Sequence, residues 1–246
     1  TDDIMGFATY SSGYRAGGFN GRVNSVEEAV QPYDPETVDN YELGFKSELM
    51  DNRVRLNGAV FYMSYEDKQE ELQLPSDTGT GQKTVVSNAS EATLWGVELE
   101  ATAAVTDNLT MRANFGYLDT EYDDFQYEDI SGEVIDLSGL EFRRAPELTG
   151  TLDATYQWEM MGGLMWVRGA YHFLGEHWVN VTNSPELEND DQHLVDAERN
   201  RLHRGPQPVA VGMVLRGSAH QPVDDVAADL LLPEVTEVRR GGEAEH

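Results

Sequence analysis

The 246 residues carry 45 acidic against 17 basic side chains, a formal net charge of −28, and no cysteine. That balance excludes a nucleic-acid partner, whose phosphates demand a basic face. The missing thiols exclude a disulfide frame and any thiolate metal site. Disorder is not implied, because 8 Phe, 11 Tyr and 4 Trp are far more aromatic side chains than an unfolded acidic chain carries. No run approaches the ~18 apolar residues of a membrane helix, and no charged-then-apolar leader opens the chain.

The dominant signal is a period of two, which predicts strands with one apolar and one polar face. Ile4 to Ser12 reads as a first strand of ambiguous facing. In Tyr41 to Glu48, Tyr41, Leu43 and Phe45 alternate with Glu42, Gly44 and Lys46. Val54 to Tyr65 follows, with aromatics on both faces. Gly96 to Thr102 alternates Val97, Leu99 and Ala101 with Glu98, Glu100 and Thr102. Leu109 to Tyr117, Leu148 to Trp158 and Met165 to Phe173 continue the pattern, and Gln192 begins part of an eighth strand. Several runs last about 9–11 residues, enough to cross a bilayer at a tilt.

Connections alternate as well. Asp51-Asn52-Arg53, Thr106-Asp107-Asn108 and Met161-Gly162-Gly163 read as tight turns. Long polar loops are expected between them, at Tyr14 to Glu36, Asp67 to Glu91 and Asp119 to Pro146. Tight turns at one end and long loops at the other mark a transmembrane β-barrel rather than a soluble sandwich. The apolar set then faces lipid. The set holding Glu42, Lys46, Glu98, Glu100, Arg112, Asp153 and Arg168 faces a wet lumen. Tyr10, Tyr62, Tyr117, Tyr156, Trp158 and Trp178 are expected in interfacial girdles.

The fold class is therefore all-β: an antiparallel up-and-down transmembrane barrel, present in part as about seven to eight strands over residues 1–197. Residues 198–246 hold no Phe, Tyr or Trp and no sustained alternation. They form an atypical tail that is expected to stop the strand begun at Gln192. It reads as a soluble or disordered extension or, preferably, as translation in a shifted frame after about Ala197.

The segment Gly13-Tyr14-Arg15-Ala16-Gly17-Gly18-Phe19-Asn20, following Phe7-Ala8-Thr9-Tyr10-Ser11, resembles a stretch late in TonB-dependent outer-membrane receptors. Tyr33 to Lys46 is similar to that family's "PE…YE.G.K" strand, and Arg55 to Tyr62 to the strand after it. Trp95-Gly96-Val97-Glu98-Leu99-Glu100 resembles its "G.E.E" strand, and Arg144-Ala145-Pro146-Glu147 the "R.P…" start of the next. Each motif alone is weak; five in order are strong. The resemblance implies a barrel of about 22 strands and about 600 residues, closed by an N-terminal plug. The plug, its box for the TonB energy-transducing complex and the terminal aromatic strand are absent from this stretch. It also implies the outer membrane of a Gram-negative cell, contact with outer-membrane lipid, and active uptake of a scarce nutrient, foremost a ferric siderophore.

Candidate chemistry is sparse. Glu98 and Glu100 share a face about 7 Å apart, a spacing found in glycosidase pairs, but read better as a wet wall. Asp123, Asp124, Glu128 and Asp129 crowd one loop without EF-hand spacing. His172, His177 and His193 with Glu176 lack a zinc motif. Asn88, Asn108 and Asn180 head accidental glycosylation sequons. The better candidates are Arg15 and Arg22, in a Gly-rich outer loop, as contacts for an anionic small molecule such as a metal chelate. No catalytic residue, resident metal or cofactor is expected, and the protein reads as no enzyme. A passive porin-like channel and a soluble acidic β-sheet binding module are the alternatives.

Overall fold

The computed structural model describes residues 3–23, 25–76, 81–128, 132–160, 163–202 and 213–219. Nine strands form one sheet: β1 Ile4–Arg15, β2 Glu36–Leu49, β3 Val54–Pro75, β4 Gln82–Ala104, β5 Leu109–Asp124, β6 Leu148–Met160, β7 Gly163–Leu174, β8 Gln192–Leu202 and β9 Met213–Ala219. Each pairs with its sequence neighbour in an unbroken antiparallel meander. No helix among the described residues is long and apolar enough to cross a membrane.

Register turns the alternation into a surface. Directly paired residues share a face, and Leu43, Val60, Val97, Tyr117 and Leu148 fall in one lateral row. Phe45, Gly58, Leu99, Phe115, Gly150 and Phe173 form the row beside it. Leu43, Val60, Leu99, Phe115 and Leu152 all lie exposed. A soluble sheet would hide such a band; lipid is the solvent that favours it. The opposite face carries the row Lys46, Asn57, Glu100, Asn114, Thr151 and His172. There Asn57 donates to Glu100 at 3.1 Å, Asn114 donates to Thr151 at 3.0 Å, and Arg168 pairs with Asp153.

The two ambiguous strands now have a phase. Phe7 and Phe61 sit on the polar face, each lying over a glycine of its neighbour. A Cβ added at Gly96 would meet Phe61 Cζ at 2.5 Å and the Tyr117 carbonyl at 2.6 Å, so backbone blocks any side chain there. On the lipid-type face Tyr10, Tyr41, Tyr62 and Trp95 make one transverse row at the long-loop end. The Tyr10 hydroxyl donates to Asp39 at 2.9 Å, and the Trp95 and Tyr117 rings lie 5.2 Å apart. Tyr156 and Trp158 stack at 5.6 Å near the tight-turn end. Trp178 does not join a girdle; its indole donates to Glu141 at 3.1 Å within the loops.

The short connections fold as expected where described. Met50, Asp51 and Asn52 adopt φ of 55°, 54° and 64°, the left-handed region of a tight reversal. Thr106 Oγ1 accepts from the Asn108 and Leu109 amides at 3.2 and 3.0 Å. Met161 and Gly162 lie outside the described residues, but Met160 pairs with Gly163 across them.

Two expectations need correction. Asp67 to Glu91 is not a loop: β3 and β4 stay paired through it, out to Pro75 opposite Gln82. The strand from Gln192 does not stop at Ala197 but pairs with β7 as far as Leu202, because ladder bonding needs a partner edge and not alternating side chains. The described part of the following tail, Met213–Ala219, pairs with Arg199 back to His193; residues 203–212 and 220–246 lie outside the described residues.

A charge placed mid-strand on the lipid-type face should be costly. Leu99→Arg is predicted to lower folding stability in lipid vesicles by about 2–4 kcal/mol. Glu98→Gln, one residue away on the wet face, should change it by no more than about 0.5 kcal/mol. Urea titrations of both variants check this; equal costs would sink the face assignment.

Candidate functional site

The buried hydrophobic cluster lies at the long-loop end. Leu72, Ala89, Ala92, Tyr122, Phe125 and Phe142 are its main members, with Tyr122 and Phe125 fully buried. Tyr122 comes from β5 and Ala92 from β4, paired on the polar-face side. Phe125 and Phe142 belong to the β5–β6 connection, which folds back over the strands. The connection is partly strand-like, Gln126–Glu128 pairing with Val134–Asp136. Its backbone closes onto β5: Tyr122 N–H donates to Leu140 O at 2.9 Å and Gly139 N–H to Tyr122 O at 2.8 Å. The Phe142 amide donates to Thr120 Oγ1 at 3.0 Å.

A charged group is set into this core. Asp67, at φ 53°, stands between two pairs that keep one register, Glu66 with Glu91 and Lys68 with Ala89. A left-handed residue inside a strand turns the side chains that follow it. Lys68 thereby lies over the Phe142 ring at 4.5 Å and the Tyr122 and Tyr65 rings at 5.6 and 5.9 Å, a cation–π cage. It pairs with Glu70, which also meets Arg143 Nε at 3.2 Å; the Glu70 side chain is only 5% exposed. A buried carboxylate persists only when paired on this scale.

The β1–β2 connection is also pinned. It contains a two-residue ribbon, Gly18–Phe19 against Pro32–Tyr33, and a short helix, Val26–Ala29, capped by Ser25. The Asn20 side chain bonds Val86 twice, donating to its carbonyl at 3.2 Å and accepting from its amide at 2.7 Å. Gln69 Nε2 donates to Ala16 O and Asp34 O at 3.1 and 3.0 Å. Asn88 exchanges bonds with Asp34, and Lys83 pairs with Glu28. Arg15 ends β1 opposite Glu36, in phase with Phe7 on the wet face. The Arg22 carbonyl accepts from the Thr84 amide at 3.1 Å. Both arginines are exposed.

A wall with a lipid-type face and a wet face, capped at one end by ordered loops, is the geometry of an outer-membrane receptor barrel. The family model described as TonB dependent receptor-like, beta-barrel matches residues 1–202. The chain belongs to this family. A curated relative, "Probable TonB-dependent siderophore receptor PiuA" of Acinetobacter baumannii, is 25% identical over 143 residues, which are 57% of this chain and 18% of that protein. Among solved structures, the ferric yersiniabactin uptake receptor FyuA from Yersinia pestis overlays at a TM-score of 0.61 with 20% identity, covering 89% of this chain and 34% of that one. BauA, the ferric preacinetobactin receptor from Acinetobacter baumannii, gives 0.60 with 18% identity over 83% of this chain and 28% of its own. These likenesses show the fold. The chain spans about a fifth of the curated relative and about a third of the solved receptors. TonB-dependent receptors reside in the Gram-negative outer membrane, which agrees with the face assignment.

Within this receptor wall the remaining sequence candidates are scattered. Glu98 and Glu100 stay on the wet face, and Glu100 is bonded to Asn57. His172 meets Asp196 at 3.6 Å, His193 bonds Tyr171 and Asp191, and His177 bonds Asn189, so the three imidazoles have separate partners. Of the acidic loop, Asp123 accepts from Thr93 at 3.4 Å, and Asp129 lies outside the described residues. The Ser138 N–H, 3.0 Å away, holds the Asp136 carboxyl below its ordinary range. The sequon asparagines are structural: besides Asn88, Asn108 donates to Gln157 O at 2.7 Å and Asn180 to Thr182 and Ser184. Sequence reading missed Lys68, Gln69 and Glu70. Their signal was available only as charged and amide residues continuing a strand past Tyr65.

The Tyr122 phenol is pushed up from its ordinary value, first by burial and then by the Glu70 carboxylate, with Arg143 opposing. A raised folded-state pKa means the unfolded chain loses the proton first, so stability is unaffected below pH ~10 and falls as pH climbs beyond it. Phenolate absorbance should therefore show no difference between wild type and Tyr122→Phe through the ordinary tyrosine range. A tyrosine titrating near pH ~10 in wild type alone would contradict the buried assignment.

Proposed function

We propose that the protein is a receptor for the energy-coupled uptake of a scarce nutrient, with a ferric siderophore as ligand. The observation that carries the reading is the capped barrel wall in a chain of this receptor family. The relatives add the ligand class: a probable siderophore receptor and receptors for ferric preacinetobactin and yersiniabactin. The chemistry is binding and not catalysis. Outer loops capture the chelate, and a TonB-type complex coupled through a plug domain releases it inward.

Arg15 and Arg22 are the ligand contacts of this proposal. Both are exposed at the capped end, and Arg15 shares the phase of the wet face. A guanidinium there offers charge-assisted hydrogen bonds to an anionic chelate. Each Arg→Ala change is expected to weaken binding roughly tenfold, since a bond to a charged group contributes about 1.5 kcal/mol or more.

Radioiron uptake tests the function. Cells with and without the gene are offered ferric complexes of hydroxamate, catecholate and carboxylate chelators, with and without an uncoupler of the proton gradient. The proposal predicts that at least one complex accumulates only with the gene, and that the uncoupler stops it. Entry that ignores the uncoupler would favour a passive channel. A folded protein recovered in the soluble fraction would favour a soluble binding module. Arg15→Ala and Arg22→Ala receptors that bind the same complex as tightly as wild type would remove those residues from the site.

A further inference from the structure

Successive residues of a strand point to opposite faces, so an outer hairpin normally keeps one face in water. At Gln69 and Glu70 the β3–β4 hairpin does not. Gln69 is 5% exposed and Glu70 4%, although they are neighbours and both are polar. Gln69 and its cross-strand partner Asn88 hold the β1–β2 connection through Ala16 and Asp34. Lys68 and Glu70 hold the β5–β6 connection through Phe142 and Arg143. The hairpin is thus sandwiched between the two connections and fastened to each by adjacent residues.

The left-handed backbone at Asp67 locks the arrangement. It brings Lys68 into the same cage as Tyr65, three residues back, where a regular strand would place them on opposite faces. The Asp67 carbonyl accepts from Asn88 Nδ2 at 2.7 Å, and that same amide donates to Asp34 O at 3.0 Å. The atom that bonds the Asp67 carbonyl on one side therefore also anchors the loop on the other. Neither connection can lift away without stranding a buried polar group of the hairpin.

We infer that the β1–β2 connection, the β3–β4 hairpin and the β5–β6 connection move as one rigid body, a fixed wall of the mouth rather than two independent flaps. Arg15 and Arg22 are then held ready before any ligand arrives, and closure over a ligand falls to other loops. This inference stands on the hairpin's packing and does not depend on the siderophore reading.

Native-state amide exchange, followed by mass spectrometry on the protein expressed from its full reading frame and purified in detergent, tests it. The reporters are the amides of Asp34 and Val86 on one side and of Leu137 and Gly139 on the other, all bonded to the partners described above or to Phe125 O. One body predicts that both sets are protected and open along a single urea dependence. Gln69→Ala should speed exchange in both sets, and so should Lys68→Met, by roughly tenfold or more for each lost buried contact. Two separate urea dependences in wild type, or either set exchanging as a free peptide, would overturn the inference. So would a Gln69→Ala effect confined to Asp34 and Val86. The wild-type comparison decides the matter even where a variant does not fold.

Discussion

In hydrocarbon no water is present to bond the main chain, so every N–H and C=O must be answered by the protein. A sheet meets that demand only through its neighbours, and this chain supplies them in sequence order without a crossover. The rest follows from that continuity. Registers set by tight turns at Met50–Asn52 and Thr106–Asn108 put every second side chain on the same face of all the central strands. A one-residue slip anywhere would deliver Glu98 or Arg112 to lipid. The glycines under Phe7, Phe45 and Phe61 serve the same end, because they let large rings lie flat against the sheet without spreading the strands.

Beyond the row of Tyr10, Tyr41, Tyr62 and Trp95 the solvent changes, and so does the architecture. Water covers the outer strand ends, so the chain needs an ordinary hydrophobic core there, and it places Tyr122, Phe125 and Phe142 in it. The same backbone passes from a region where apolar side chains face out to one where they face in. The left-handed residue Asp67 and the register shift at Glu91–Ala92 fall at this passage. Polar side chains change role with it: below they form a wet wall, above they act as clamps buried between layers. That difference gives a receptor a stiff, lipid-seated wall and a mouth whose loops are held in place before ligand binds.

The membrane-spanning half was legible because its alternation is simple. Leu43, Val97, Leu99, Phe115 and Leu152 were assigned to the lipid side from spacing alone, and pairing sets them in rows. The family could be read from the same strands, and the family model covers them. The outer half was not legible for a physical reason. In Glu66 to Gln73 charged and amide residues fill both phases, which resembles a loop, yet at Gln69 and Glu70 both faces are covered by other loops and use those groups for bonding. Period-two reading assumes one wet face and one dry face, and it has no signature for a hairpin clamped on both. Trp178 was misplaced for the same reason: its ring serves the loop cluster through Glu141 and not the membrane interface.

The central claim is that one face of the sheet meets lipid and the other water. The absence of cysteine makes single-site labelling direct. A nitroxide is placed in turn at Trp95 and at each position from Val97 to Ala103 in vesicle-embedded protein, and its collisions with lipid-soluble oxygen and with a water-soluble relaxing agent are measured. The account predicts oxygen access at 95, 97, 99, 101 and 103 and water access at 98, 100 and 102, a strict period of two. Uniform access along the strand, or the opposite phase, would contradict it.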